Sequence, residues 1–112
     1  MVKMIALVKR KQGLSREEYV RYHEGVHARL IEKVASTLRG YSRNYVITQV
    51  APQASEPLFD GIIEFWYDDI TPQDVLSYYA SNAGKEVSDD ESRFIDRDSM
   101  VLFIVEEHVS SI

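Results

Sequence analysis

A chain of 112 residues, 45% hydrophobic and 28% charged, can bury a real core, so disorder is excluded and one domain over residues 1–112 is expected. The net charge is −5, from 13 basic and 18 acidic residues, with no basic stripe, which argues against a nucleic-acid partner. With no cysteine, disulfides, thiolate zinc sites, iron–sulfur clusters and cysteine nucleophiles are excluded.

The apolar start, Met1 to Val8, is too short for a signal peptide, and no stretch approaches the ~18 apolar residues of a membrane span. No membrane partner and a cytoplasmic location are therefore expected.

Val2 to Arg10 reads as a first strand, with Met4, Ala6 and Val8 on one face and Ile5 and Leu7 on the other. Apolar residues on both faces require cover on both. Gly13 closes the following turn. Ser15 to about Thr37 reads as a long helix, opened by a capping box of Ser15 and Glu18. At helical spacing one arc collects Tyr19, Val20, His23, Val26, His27, Leu30, Ile31 and Val34, and the opposite arc includes Ala28 and Ala35. Gly40 serves as its stop signal.

Tyr41 to Val50 reads as the second strand, with Tyr41, Arg43 and Tyr45 on one face. Ala51 to Pro57 reads as a loop. Leu58 to Tyr67 reads as the third strand, with Gly61, Ile63, Phe65 and Tyr67 on one face and Asp60, Ile62, Glu64 and Trp66 on the other. Thr71 and Pro72 start a second helix that ends near Gly84, and Ser88 with Glu91 suggests a further helical turn. Met100 to His108 reads as the fourth strand, apolar on both faces at its centre.

The order β-α-β-β-α-β predicts an α+β, ferredoxin-like fold, with a four-stranded antiparallel sheet and helices on one face. The other face of strands one and four is also apolar, and no element remains to cover it. A second copy is the simplest cover, so a homodimer is expected.

Tyr19-Val20-Arg21-Tyr22-His23 with His27-Ala28, then Leu38 to Asn44, Phe59 to Trp66 and Asp90 to Asp96, resemble in order and spacing the EthD family, named for ethyl tert-butyl ether degradation. The resemblance spans about residues 3 to 106 and departs from the family pattern at His23, where Trp is usual. It implies a ferredoxin-like dimer whose sheets close into an α/β barrel. Relatives in that superfamily include cofactor-independent isomerases, decarboxylases, cyclases, dehydratases and monooxygenases acting on lactones and aromatic polyketides; others bind haem.

His23 and His27 stand four apart near the middle of the apolar arc, where a plain core helix would carry Leu or Val. Imidazole suits acid–base work at neutral pH, whereas a neutral core histidine bonded to backbone or Tyr is the structural alternative. Two such histidines can also begin a metal site, but a usable site needs a third ligand, and no metal is expected. Tyr41 matches the family Tyr and can donate to a developing oxyanion; Tyr45, on the same face, suits aromatic packing or a substrate contact. Asp60, Glu64 and Trp66 can bind a flat substrate if their face lines the barrel, or the acids can pair with an arginine such as Arg43. Asp90, Glu91 and Asp96 read as turn caps and partners of Arg93 or Arg97. No nucleophile elbow, Walker loop or dinucleotide fingerprint is present.

The leading expectation is a cofactor-free enzyme (isomerase, lyase or oxidoreductase). It holds a small hydrophobic or aromatic ligand, a lactone, quinone or polyketide-like molecule, in a cavity between the sheet and the first helix. His27, with His23 beside it, and Tyr41 act in catalysis, and Trp66 packs on the ligand. The alternatives are a non-catalytic ligand-binding accessory protein and a haem-binding barrel with a histidine as axial ligand.

Overall fold

The computed structural model describes residues 2–112. Four strands, β1 (Val2–Val8), β2 (Gly40–Tyr45), β3 (Gly61–Tyr67) and β4 (Val101–Val105), form one antiparallel sheet in the order β2-β3-β1-β4. The helices are α1 (Arg16–Tyr22), a π-helical turn (His23–His27), α2 (Ala28–Val34), α3 (Pro72–Ala80) and α4 (Asn82–Phe94); a short 3-10 turn (Arg97–Ser99) leads into β4. This is the ferredoxin-like α+β architecture expected from the element order.

The core lies between the helices and one face of the sheet. Met4, Ala6 and Val8 of β1 and Ile63 of β3 point into it, and Tyr19 and Phe94 meet there fully buried, with their rings stacked at 5.8 Å. Burying a ring such as Phe94 contributes roughly 2–3 kcal/mol. The other face carries Ile5, Leu7, Ile62 and Phe103; Ile62 is 37% and Phe103 49% exposed.

The predicted first helix forms with its Ser15–Glu18 capping box, but its interior departs from plain helical spacing. At the π turn the Ala28 N–H reaches back five residues to the His23 carbonyl. One extra residue in that turn rotates everything downstream. Val26, expected in the core, is 46% exposed, and Ala28, expected outside, is fully buried. The helix ends at Val34, and Gly40 is the first residue of β2 rather than a helix stop.

Strands two and three are shorter than expected, because Val46 makes the last backbone bond between them, to Asp60, and Ile47 and Val50 beyond it stand in solvent without a partner strand. Similarly, β1 stops at Val8, with Arg10 retained as an isolated bridge to Ile95, and β4 spans only Val101–Val105. The second helical segment breaks at Ser81, whose hydroxyl caps α4 by accepting from the Gly84 N–H. Gly84 therefore lies inside α4 instead of ending a helix. A Cβ there would come within 1.8 Å of the Tyr78 carbonyl oxygen, so glycine permits the sharp α3–α4 corner. Ser88 is mid-helix and starts nothing. Gly13 has φ +95°, the left-handed turn its position demands.

Candidate active site

The π turn aligns His23 and His27 on the helix face that looks at the sheet, with ring centroids 5.4 Å apart and both side chains buried. Phe94 of α4 packs against both rings, at 5.0 Å and 4.8 Å.

His27 Nδ1 lies 2.8 Å from Asp90 Oδ2. Asp90 is 3% exposed and also accepts from the Tyr22 hydroxyl (2.5 Å) and Arg93 Nη1 (3.2 Å). Burial alone would raise its carboxyl pKa, but the bonds from Tyr22 and His27 outweigh it and hold the group below the ordinary carboxylate range. An ionised carboxylate only accepts, so Nδ1 carries the proton that faces it, and Nε2 is turned away from Asp90. His27 lines a small cavity of about 30 Å³ together with Tyr41 of β2 and Glu91 of α4.

His23 Nε2 lies 3.0 Å from the Tyr41 hydroxyl, while its buried Nδ1 has no hydrogen-bond partner among the described residues. Burial, with the neighbouring His27, pushes its pKa down to about 3, so the ring is neutral. Orphaned N–H groups are rarer in folded proteins than under-satisfied acceptors. That assigns the proton to Nε2, which donates to Tyr41 and leaves the phenol proton free to point into the cavity. Burial raises the Tyr41 pKa far above its usual value, so it is a donor and not a phenolate.

Tyr45 packs edge-on against His23 at 5.7 Å, but its hydroxyl donates to Glu24. Arg43 grips the same carboxylate with two bonds, of 2.9 and 2.8 Å, and lies over the Tyr41 ring at 4.8 Å. The Arg43 guanidinium is the main reason that the Glu24 pKa falls to about 2. Tyr45 and Arg43 thus brace His23 and Tyr41 from outside the cavity.

Asp60, Glu64 and Trp66 are not brought to this place. Glu64 and Trp66 occupy the opposite face of the sheet, where Lys3 joins Glu64 and Glu107 (2.7 Å each) and Trp66 Nε1 donates to Glu107 (3.0 Å). Asp60 accepts from the Arg10 backbone N–H at 2.8 Å and side chain at 3.3 Å. Arg43, a candidate partner for these acids, is taken by Glu24. The cause is strand alternation: with Ile63 and Phe65 facing the helices, the even-numbered side chains of β3 face away.

Sequence reasoning missed Asp90 and Glu91 as site residues. Both pair with arginines as expected, Asp90 with Arg93 and Glu91 with Arg97 (3.1 Å), yet both are also buried, Asp90 against His27 and Glu91 in the cavity wall. Glu91 accepts from the Tyr79 hydroxyl at 3.0 Å, and burial raises its carboxyl pKa. The signal was present: Val87, Asp90, Glu91 and Phe94 fall at i, i+3, i+4 and i+7, which puts two acids in an apolar stripe.

Among the described residues no group of three or more His, Asp or Glu is arranged to hold a metal ion, and no helix is long and apolar enough to cross a membrane. A haem does not fit as expected: about 30 Å³ beside the two histidines is room for a water or two, not a porphyrin.

Fold and site together define a ferredoxin-like α+β protein with a buried His–Asp pair and a Tyr–His pair facing one cavity. Solved structures of this architecture superpose over most of the chain. An ethyl tert-butyl ether degradation (EthD) family protein from Bacillus halodurans has a TM-score of 0.70 at 23% identity, over 96% of this chain and 99% of that one. An EthD-like protein from Ralstonia eutropha has a TM-score of 0.68 at 17% identity, over 98% and 94%. A protein from Bacteroides fragilis, described as dimeric and ferredoxin-like, has a TM-score of 0.58 at 16% identity, over 95% of each chain. No curated protein sequence matches the chain. The sequence profile of the EthD domain matches residues 11–98, and the chain belongs to the EthD domain family.

Proposed function

We propose that the chain is an enzyme that moves a proton on a small organic substrate, using its own side chains. The observation that carries this reading is the His27–Asp90 pair, 2.8 Å apart and buried, with Nε2 of His27 left to act on a ligand. A carboxylate behind an imidazole fixes the tautomer and stabilises the imidazolium that forms when Nε2 takes a proton. Tyr41, held by His23, supplies the hydrogen bond that an enolate-type oxygen needs as the α-proton leaves. Returning the proton elsewhere gives isomerisation; loss of a neighbouring group gives elimination. A lactone, quinone or polyketide-like molecule offers such an acidic C–H beside a carbonyl. The protein works as a homodimer, in which a second copy covers the apolar outer face of the sheet.

The test works whatever the final product is. Lactones and cyclic ketones are incubated with the protein in D2O, and exchange at the carbon next to the carbonyl is followed by NMR. Wild type accelerates exchange for at least one class, and His27→Ala abolishes it while the protein stays folded. Exchange unaffected by His27→Ala would overturn the assignment; binding without exchange would favour an accessory, ligand-carrying role, for which the larger cavity described below is sufficient.

A further inference from the structure

Next to the small cavity is a second, much larger chamber of about 390 Å³, between the sheet and helices α2, α3 and α4. The two share Met4, Phe65, Tyr79 and Glu91 in their walls. Their sizes differ by an order of magnitude. The space at His27 and Tyr41 admits about a carbonyl or hydroxyl group, whereas the chamber lies in the range of drug-sized ligand sites. Any substrate body must then sit in the chamber, with only its polar end passing Tyr79 and Glu91.

The chamber's walls also carry a charge preference. They are largely apolar, with Ile31, Val75 and Val87 among them. Their carboxylic acids are Asp69, Asp74 and Glu91, and among the described residues no Lys, Arg or His lines them. The small cavity adds two histidines, one of them held neutral, and again no Lys or Arg. An anionic ligand would lose its hydration and meet no lysine or arginine in the chamber's walls. We infer that the chamber selects an uncharged molecule with an apolar body and one slender carbonyl- or hydroxyl-bearing end, and rejects carboxylates and phosphates of the same shape. The orientation of that end towards His27 rests on the function proposed above; the chamber's selectivity does not.

The test uses the uncharged fluorophore N-phenyl-1-naphthylamine bound to the intact protein at pH 8. It is displaced in turn by 1-octanol and by octanoate, which share a chain length and differ in charge. Octanol should displace it at a concentration about tenfold or more below that of octanoate. Val75→Trp, which fills the chamber, should abolish fluorophore binding. Equal displacement by octanoate, no binding by wild type, or unchanged binding by folded Val75→Trp would overturn the inference. If Val75→Trp does not fold, the wild-type comparison alone decides. α-Proton exchange and octanol selectivity together in wild type are the result when both readings hold. Octanol selectivity without exchange in wild type removes the catalytic reading and leaves the chamber.

Discussion

His27 and Asp90 stand 63 positions apart in the chain, one in a π turn and the other in α4, and their side chains meet at 2.8 Å with both groups buried. A carboxylate that is buried without a partner is costly, and this one has Tyr22, His27 and Arg93 as donors. Replacing it by an amide keeps the shape and removes the charge. Asp90→Asn should lower α-proton exchange by about 10²-fold or more, because His27 loses both its fixed tautomer and the stabilisation of its imidazolium. The rate of deuterium incorporation, with circular dichroism to confirm folding, checks it; a loss under about threefold would show that Asp90 is only structural.

Tyr41→Phe removes one hydroxyl from a buried ring and should leave the fold intact. The donor to the developing oxyanion is lost, so kcat should fall by about 10²- to 10³-fold with KM little changed. Steady-state kinetics on a substrate found by the exchange screen separates the two. A raised KM with unchanged kcat would instead make Tyr41 a binding contact.

His23 links the site to acid stability. Its pKa is about 3 in the folded protein, held down by burial, against about 6.5 when unfolded. Between those values the unfolded state binds the extra proton, so stability rises with pH; it is fully present above about pH 6.5 and is lost as pH falls towards 3. Glu24, with a folded pKa of about 2, adds acid sensitivity of the same sign only below about 4.5. His23→Gln can still donate to Tyr41 but does not titrate. Its urea midpoint should therefore fall less steeply than that of wild type from pH 6.5 to 5. Parallel curves over that window would show that His23 does not govern it.

Gly84 sets the corner between α3 and α4, and with it the placement of Asp90 and Glu91. Gly84→Ala would press a methyl group into the Tyr78 carbonyl, at 1.8 Å before any adjustment. The backbone must move, at a cost of about 1–3 kcal/mol and a fall in Tm of roughly 5–15 °C. A thermal melt unchanged within about 2 °C would show that the corner relaxes freely.

Ile62 and Phe103 stand on the sheet face away from the helices, partly exposed and apolar. In a homodimer joined through this face, Phe103→Lys should convert the species seen by sedimentation velocity from dimer to monomer. A wild-type protein that sediments as a monomer would remove this interface.

The sequence by itself determined the order of elements, the helix starts at Ser15 and Thr71, the glycine turn at Gly13 and the apolar faces of the strands. These depend on local spacing, capping and backbone freedom, which a one-dimensional pattern carries. It also marked His23 and His27, because polar groups in an apolar stripe are conspicuous, and Tyr41 through its match to the family pattern. Only the tertiary structure decided that β3 turns Glu64 and Trp66 away from the histidines. Alternation says that two faces differ, but which one meets the helices is settled by packing of the whole sheet. The π turn was equally illegible: a helix accepts an extra residue when the gain in aligning His23, His27 and Ala28 with the core exceeds the local loss of regular bonding, and that gain comes from Phe94, Tyr41 and Asp90, 13 to 71 positions further along the chain.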